Sequence, residues 1–199
     1  MTTYNRRYQW PEAKSVLALI ALNIIVLIAL LIKEDLYITL GLQSTEWYHA
    51  PWTLLTSLFV HDFPWHILAN MFTLYFLGSY LCSMVGDARF LAVYFVGGIA
   101  GNFLYILIEY LLGDPNTLAF GASGAIFAVA GALTAIAPKV KVIVFPIPVP
   151  LPLWIAVIGG FLLMSFIPGV AWQAHLGGLL VGLVAGIFLK KHKRNIILF

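Results

Sequence analysis

Charge is scarce in this chain. Asp, Glu, Lys and Arg make up 10% of its 199 residues, against 62% hydrophobic ones and a mean hydropathy of +0.97. That balance excludes an ordinary soluble domain, in which roughly a quarter of the residues are charged. Cysteine is scarcer still. Cys82 stands alone, so no internal disulfide can form, no thiolate cluster can hold a metal, and the redox compartment is not legible from it. Internal repeats are absent, and the only biased segment is a proline run. Long apolar runs fill the space that charge leaves. A bilayer span takes about 20 mostly apolar residues, and six such runs fit, at 14–32, 64–83, 89–112, 119–137, 151–168 and 171–189. The first is too long for a removable signal peptide and lacks a small-residue cleavage site, so it is expected to remain as a span. The expected fold is an all-α membrane protein: an N-terminal arm at 1–13, a six-helix domain at 14–189 and a basic tail at 190–199.

Of the 11 Lys and Arg residues, only Lys33 falls outside the set formed by Arg6, Arg7, Lys14, Arg89, Lys139, Lys141 and the "KKHKR" tail. The positive-inside rule then places both termini in the cytoplasm, as an even number of spans requires. The net charge of +3 is thereby assigned to topology, and no nucleic-acid partner is expected. Residues 33–63 form a long, aromatic-rich outer loop, apolar enough to lie partly embedded in the interface. On the inner side, "FPIPVPLPLW" sets Pro146, Pro148, Pro150 and Pro152 at alternate positions, which forbids a helix. Span five should therefore begin near Leu151 and be short. With no organelle-targeting presequence legible at the N-terminus, a cell-membrane location is expected.

Polar side chains inside a span are costly, so each asks for a reason. His66, Asn70, Ser123 and His175 converge on one shallow layer below the outer face. Ser123 and His175 each lie about four residues, roughly 6 Å, into their spans, and the i,i+4 spacing of His66 and Asn70 puts both on one helical face. Gly178, Gly182 and Gly186 line one side of span six. Gly124, Ala128 and Ala132 line a matching side of span four. Such small-residue stripes let membrane helices approach until backbones touch, which would bring Ser123 to His175. Taken singly, Ser123 in "GASGA" reads first as a packing residue, and His66, Asn70 and His175 as interhelical hydrogen-bonders. Their shared depth favours a nucleophile, a base and two donors.

The motifs "HILAN" (66–70), "GASG" (121–124) and "AHLGGLLVG" (174–182), in this order on six spans with a large first outer loop, resemble the rhomboid intramembrane serine proteases. The resemblance implies Ser123 as nucleophile and His175 as general base. It implies an oxyanion hole from Asn70, His66 and the Ser123 backbone N–H, with Gly121, Gly124, Phe127, Gly178 and Gly182 in support. His61 matches a further outer-loop histidine of the family, and Trp52 a loop tryptophan. Three positions depart from its pattern: Thr53 stands where arginine is usual, Cys82 where glutamate is common, and Phe127 where a tyrosine often stacks on the histidine.

A serine hydroxyl needs a base during attack, and neutral imidazole suits that near pH 7. With Glu109 and Asp114 at the end of span three and Asp87 cytoplasmic, no acid is placed to orient His175, so a Ser–His dyad without a carboxylate is expected. Water would be the second substrate and transmembrane proteins in the bilayer the first, with no cofactor and no metal. Two other classes remain open: a proteolytically silent rhomboid-like scaffold for transmembrane clients, and a small transporter with Asn70, His66 and His175 along a polar path.

Overall fold

The computed structural model describes residues 13–114, 116–144 and 147–192. Arg6 and Arg7 in the expected arm, Pro146 in the proline run and tail residues 193–199 lie outside them. Among the described residues, four helices are long and apolar enough to cross a membrane. They are α1 (Lys14–Ile32), the continuous stretch Pro64–Val85, α6 (Asp87–Leu112) and α9 (Trp172–Leu189). The second of these comprises α4 (Pro64–Thr73), a π-helical turn Leu74–Gly78, and α5 (Ser79–Val85). Between α1 and α4 lie α2 (Leu36–Leu40), β1 (Leu42–Gln43) and α3 (Thr53–Thr56). Two shorter apolar helices complete the bundle, α7 (Ser123–Ile136) and α8 (Leu153–Ser165).

Both short helices correct the sequence expectation. The apolar run places the start of span four at residue 119, with Ser123 a turn inside it; instead α7 begins at Ser123. Residues 118–119 form β2, paired antiparallel with β1 so that Leu42 faces Ala119 and Gln43 faces Leu118. Gly121 then turns the chain at φ +118°, a conformation that only glycine enters freely. Apolar composition alone does not separate these four residues from the helix they precede. Helix α8, in the run expected as span five, is 13 residues long, shorter than the expected extent of 151–168. Upstream of it, β3 (Lys141–Val144) and β4 (Ile147–Pro152), which holds Pro148, Pro150 and Pro152, pair antiparallel. The Leu153 N–H reaches the Val140 carbonyl at 2.7 Å, so the strand alternation aims the nitrogens of Pro152, Pro150 and Pro148 away from the partner strand, where no donor is missed.

The core forms around α7, whose residues from Gly124 to Leu133 are buried apart from Phe127. Helices α7 and α9 run parallel in close contact. A Cβ on Gly178 would overlap the Gly124 carbonyl, one on Gly182 the Ala128 carbonyl, and one on Gly186 the Ala132 carbonyl. The two small-residue stripes read from sequence thus lie against each other, as backbone-to-backbone helix packing requires. Helix α6 closes the other side antiparallel, through glycines that belong to neither stripe. A Cβ on Gly97 would overlap that of Ala128, and one on Gly101 the carbonyl of Ala174.

The departures noted at Thr53 and Cys82 have local answers. Thr53 is buried and donates to the Ala50 carbonyl at 2.7 Å. The surrounding loop is tied by Trp52 Nε1 to Thr39 O (3.0 Å), Thr56 Oγ1 to Leu40 O (2.8 Å), and Asn102 Nδ2 to Leu54 O (2.8 Å) and Ser57 Oγ (2.9 Å). At the opposite end of the bundle, Ser15 Oγ donates to Asp87 at 2.6 Å and lies 3.7 Å from Cys82 Sγ. That contact joins the starts of α1 and α6 beside α5.

Candidate active site

Three parallel helix starts converge at one end of the bundle. Helix α7 presents Ser123 as its first residue, α9 presents His175 in its first turn, and α4 presents His66 and, one turn on, Asn70. Ser123 Oγ and His175 Nε2 are 2.7 Å apart. His175 is 4% exposed, and its ring lies against Phe127 with centroids 4.7 Å apart and planes 30° from parallel. Phe127 comes one turn after Ser123 on α7, so a single helix carries both the hydroxyl and the surface that orients the imidazole. Among the described residues, His175 Nδ1 has no hydrogen-bond partner. Glu109 is engaged elsewhere, accepting from Gln173 Nε2 at 2.5 Å and from the Asp114 N–H at 3.0 Å.

As the first residue of α7, Ser123 has no helical acceptor for its N–H, and the helix dipole favours negative charge there. The space above this N–H is kept open by Gly121. A Cβ at Gly121 would sit 2.7 Å from His66 Nε2 and 3.7 Å from Ser123 Oγ, so an alanine would fill the volume between the hydroxyl and that ring nitrogen. Asn70 is buried and donates one amide hydrogen to the His66 carbonyl at 2.9 Å, leaving the second for another acceptor.

His61, matched only by resemblance, is fully buried behind the site. Its Nδ1 faces the Phe59 carbonyl at 3.4 Å, and its Nε2 faces the Ala122 N–H at 3.5 Å, which fixes Nδ1 as the donor and Nε2 as the acceptor. The ring thereby steadies the turn that delivers Ser123, together with the Gly121 N–H donated to Ser57 O at 2.8 Å. Burial, helped by the neighbouring His66, pushes the His61 imidazole down to about 4. Sequence reasoning missed one participant, Asp62, whose carboxylate lies 2.7 Å from His66 Nδ1. Its position four residues before His66 was the available signal.

A multi-pass helical membrane protein with such a polar cluster at the ends of buried helices defines a class. Residues 48–192 match the Rhomboid domain. The chain is 30% identical over 157 residues to Rhomboid protein 1, mitochondrial, of Saccharomyces cerevisiae, covering 70% of this chain and 42% of that protein. It is 32% identical over 142 residues to RHOMBOID-like protein 1 of Arabidopsis thaliana, covering 71% and 35% respectively. Over 92 residues it is 36% identical to the Bacillus subtilis protein named "Putative rhomboid protease YdcA", covering 46% and 42%. This chain belongs to the rhomboid family, and it spans less than half the length of these relatives.

Proposed function

We propose that this chain is an intramembrane serine endopeptidase that hydrolyses peptide bonds in or near transmembrane segments of its substrates. The observation that carries the reading is the 2.7 Å contact between Ser123 Oγ and His175 Nε2, with the imidazole held against Phe127. In the neutral ring Nδ1 bears the proton, leaving the Nε2 lone pair to accept the serine proton during attack and return it to the leaving amine. Phe127 takes the orienting part that a carboxylate plays in soluble serine hydrolases. Negative charge on the tetrahedral intermediate is met by the Ser123 N–H, Asn70 Nδ2 and His66. Removing one such donor in a soluble protease costs about 3 kcal/mol. Gly121 and Gly124 keep room for the substrate and for α9, and Gly178 and Gly182 bring His175 close.

In this reading α7 and α8 complete a six-span domain at 14–189, between an arm at 1–13 and a tail at 190–199. Both termini are cytoplasmic, and the site faces the outer side of the cell membrane. The substrates are transmembrane proteins in the lipid bilayer, with water as co-substrate and no cofactor, metal or nucleic acid.

The test incubates the detergent-solubilised protein with a model single-span substrate, beside Ser123→Ala and His175→Ala. Each substitution is expected to lower cleavage by roughly 10⁴-fold or more, as loss of a nucleophile or base does elsewhere. Cleavage that survives Ser123→Ala overturns the assignment. Substrate binding by the parent without any cleavage supports the scaffold reading instead.

A further inference from the structure

His66 offers the site one ring nitrogen, and the other is already committed. Asp62 Oδ1 lies 2.7 Å from His66 Nδ1, and an ionised carboxylate can only accept, so Nδ1 must carry a hydrogen. Opposite it, Nε2 points into the space over Gly121 beside Ser123 Oγ, where the oxyanion would form. A neutral imidazole whose single proton sits on Nδ1 presents a bare lone pair at Nε2, which repels negative charge. Only the doubly protonated ring donates in both directions. The geometry leaves little freedom to escape this choice. Pro64 opens α4 directly after Phe63, fixing the backbone between Asp62 and the helix. The His66 ring is bracketed by Phe63, Phe120 and His61, with centroids 5.4, 6.3 and 4.8 Å away.

We propose that Asp62 is a positioning residue that holds His66 as an imidazolium, aiming a charged Nε2–H at the oxyanion. Resting on the reading of Ser123 and His175 as a catalytic pair, this assigns the site a donor of specified charge. Asp62 touches His66 and not the reacting atoms. The titratable groups facing His66 are Asp62 on its own segment, His61 from the same loop and His175 from α9. Of these only Asp62 can balance a positive charge. Charge-assisted donors are roughly twice as strong as neutral ones, and the gain appears only as the oxyanion forms, so it acts on the transition state and not on substrate binding.

Two readouts decide it. Nitrogen-15 spectra of the parent in detergent near neutral pH, with the His66 signals assigned through His66→Ala, should show both ring nitrogens protonated. In Asp62→Ala the same ring should become neutral. In cleavage assays Asp62→Ala should lower kcat about ten-fold or more with KM within about two-fold, and Asp62→Glu should restore part of the loss. A parent spectrum with a bare Nε2, an unchanged kcat in a folded Asp62→Ala, or a loss confined to KM each overturns the proposal. Should no variant or parent cleave the substrate and Ser123 resist a fluorophosphonate, the protease reading fails, while the spectrum still decides the charge of His66.

Discussion

His61 is wholly enclosed, and its ring bridges the Phe59 carbonyl and the Ala122 N–H only while neutral at Nε2. Burial lowers it from its ordinary 6.5 to about 4. Because the folded value lies below the unfolded one, protons bind the unfolded chain preferentially, and stability that is full above about 6.5 is lost as pH falls towards 4. At about 1.4 kcal/mol per pH unit the loss is about 3 kcal/mol. Thermal unfolding in detergent should therefore show a falling midpoint over this range, and His61→Gln, which cannot take a proton, should flatten the slope. An equal slope in the variant would remove His61 from the account. The same neighbourhood explains why Gly121 tolerates no side chain: its φ of +118° and the adjacent His66 Nε2 both exclude a Cβ. Gly121→Ala should abolish cleavage while Gly169→Ala, whose glycine also has positive φ but open surroundings, should retain it.

At the scale of elements, the seam between α7 and α9 leaves no room for a methyl group. Gly182→Ala must push the Ala128 carbonyl away, separating the helices that hold Ser123 and His175 at 2.7 Å. A drop of several degrees in the thermal midpoint and at least ten-fold slower cleavage are expected, since overpacking costs about 1–3 kcal/mol. Gly159 and Gly160 on α8 face open space. Alanine there should hold or raise the midpoint, by up to about 1 kcal/mol per site from helix propensity. The α7–α9 seam is legible in the amino-acid sequence, because four-residue spacing of small residues serves close packing in apolar helices. Gly97 and Gly101 carry the same signal on α6, at the same spacing. The start of α7 is not legible: residues 119–122 are as apolar as the helix, and the strand that keeps Leu118 and Ala119 out of it depends on pairing with Leu42 and Gln43, far away in sequence. Strand β4 is legible as non-helical through its prolines, but its pairing with β3 depends on which way each nitrogen faces. Asp62 reads as an ordinary loop acid, because its partner is brought to it only by the start of α4.

The whole molecule solves a problem of length. Helix α7 has 14 residues, about 21 Å, against about 30 Å of hydrocarbon, and it packs between the longer helices α6 and α9. On the proposed reading its first residue then lies below one face of the bilayer, where water can arrive from that side. On the same reading a transmembrane substrate must come laterally, because its carbonyls are committed to its own helix until it unwinds. Helix α8 is the candidate door, since it buries only Leu153 and Val157 and its Phe161 touches Phe127 beside His175 with centroids 6.1 Å apart. In a Cys82→Ser background, cross-linking cysteines introduced on α8 and on α4 should stop cleavage of a single-span substrate. Labelling of Ser123 by a small fluorophosphonate, which needs only the open end, should continue at its usual rate. Full cleavage in the cross-linked protein rules out this route, and a parallel loss of labelling shows that the link has distorted the site itself, removing the evidence for a door at α8.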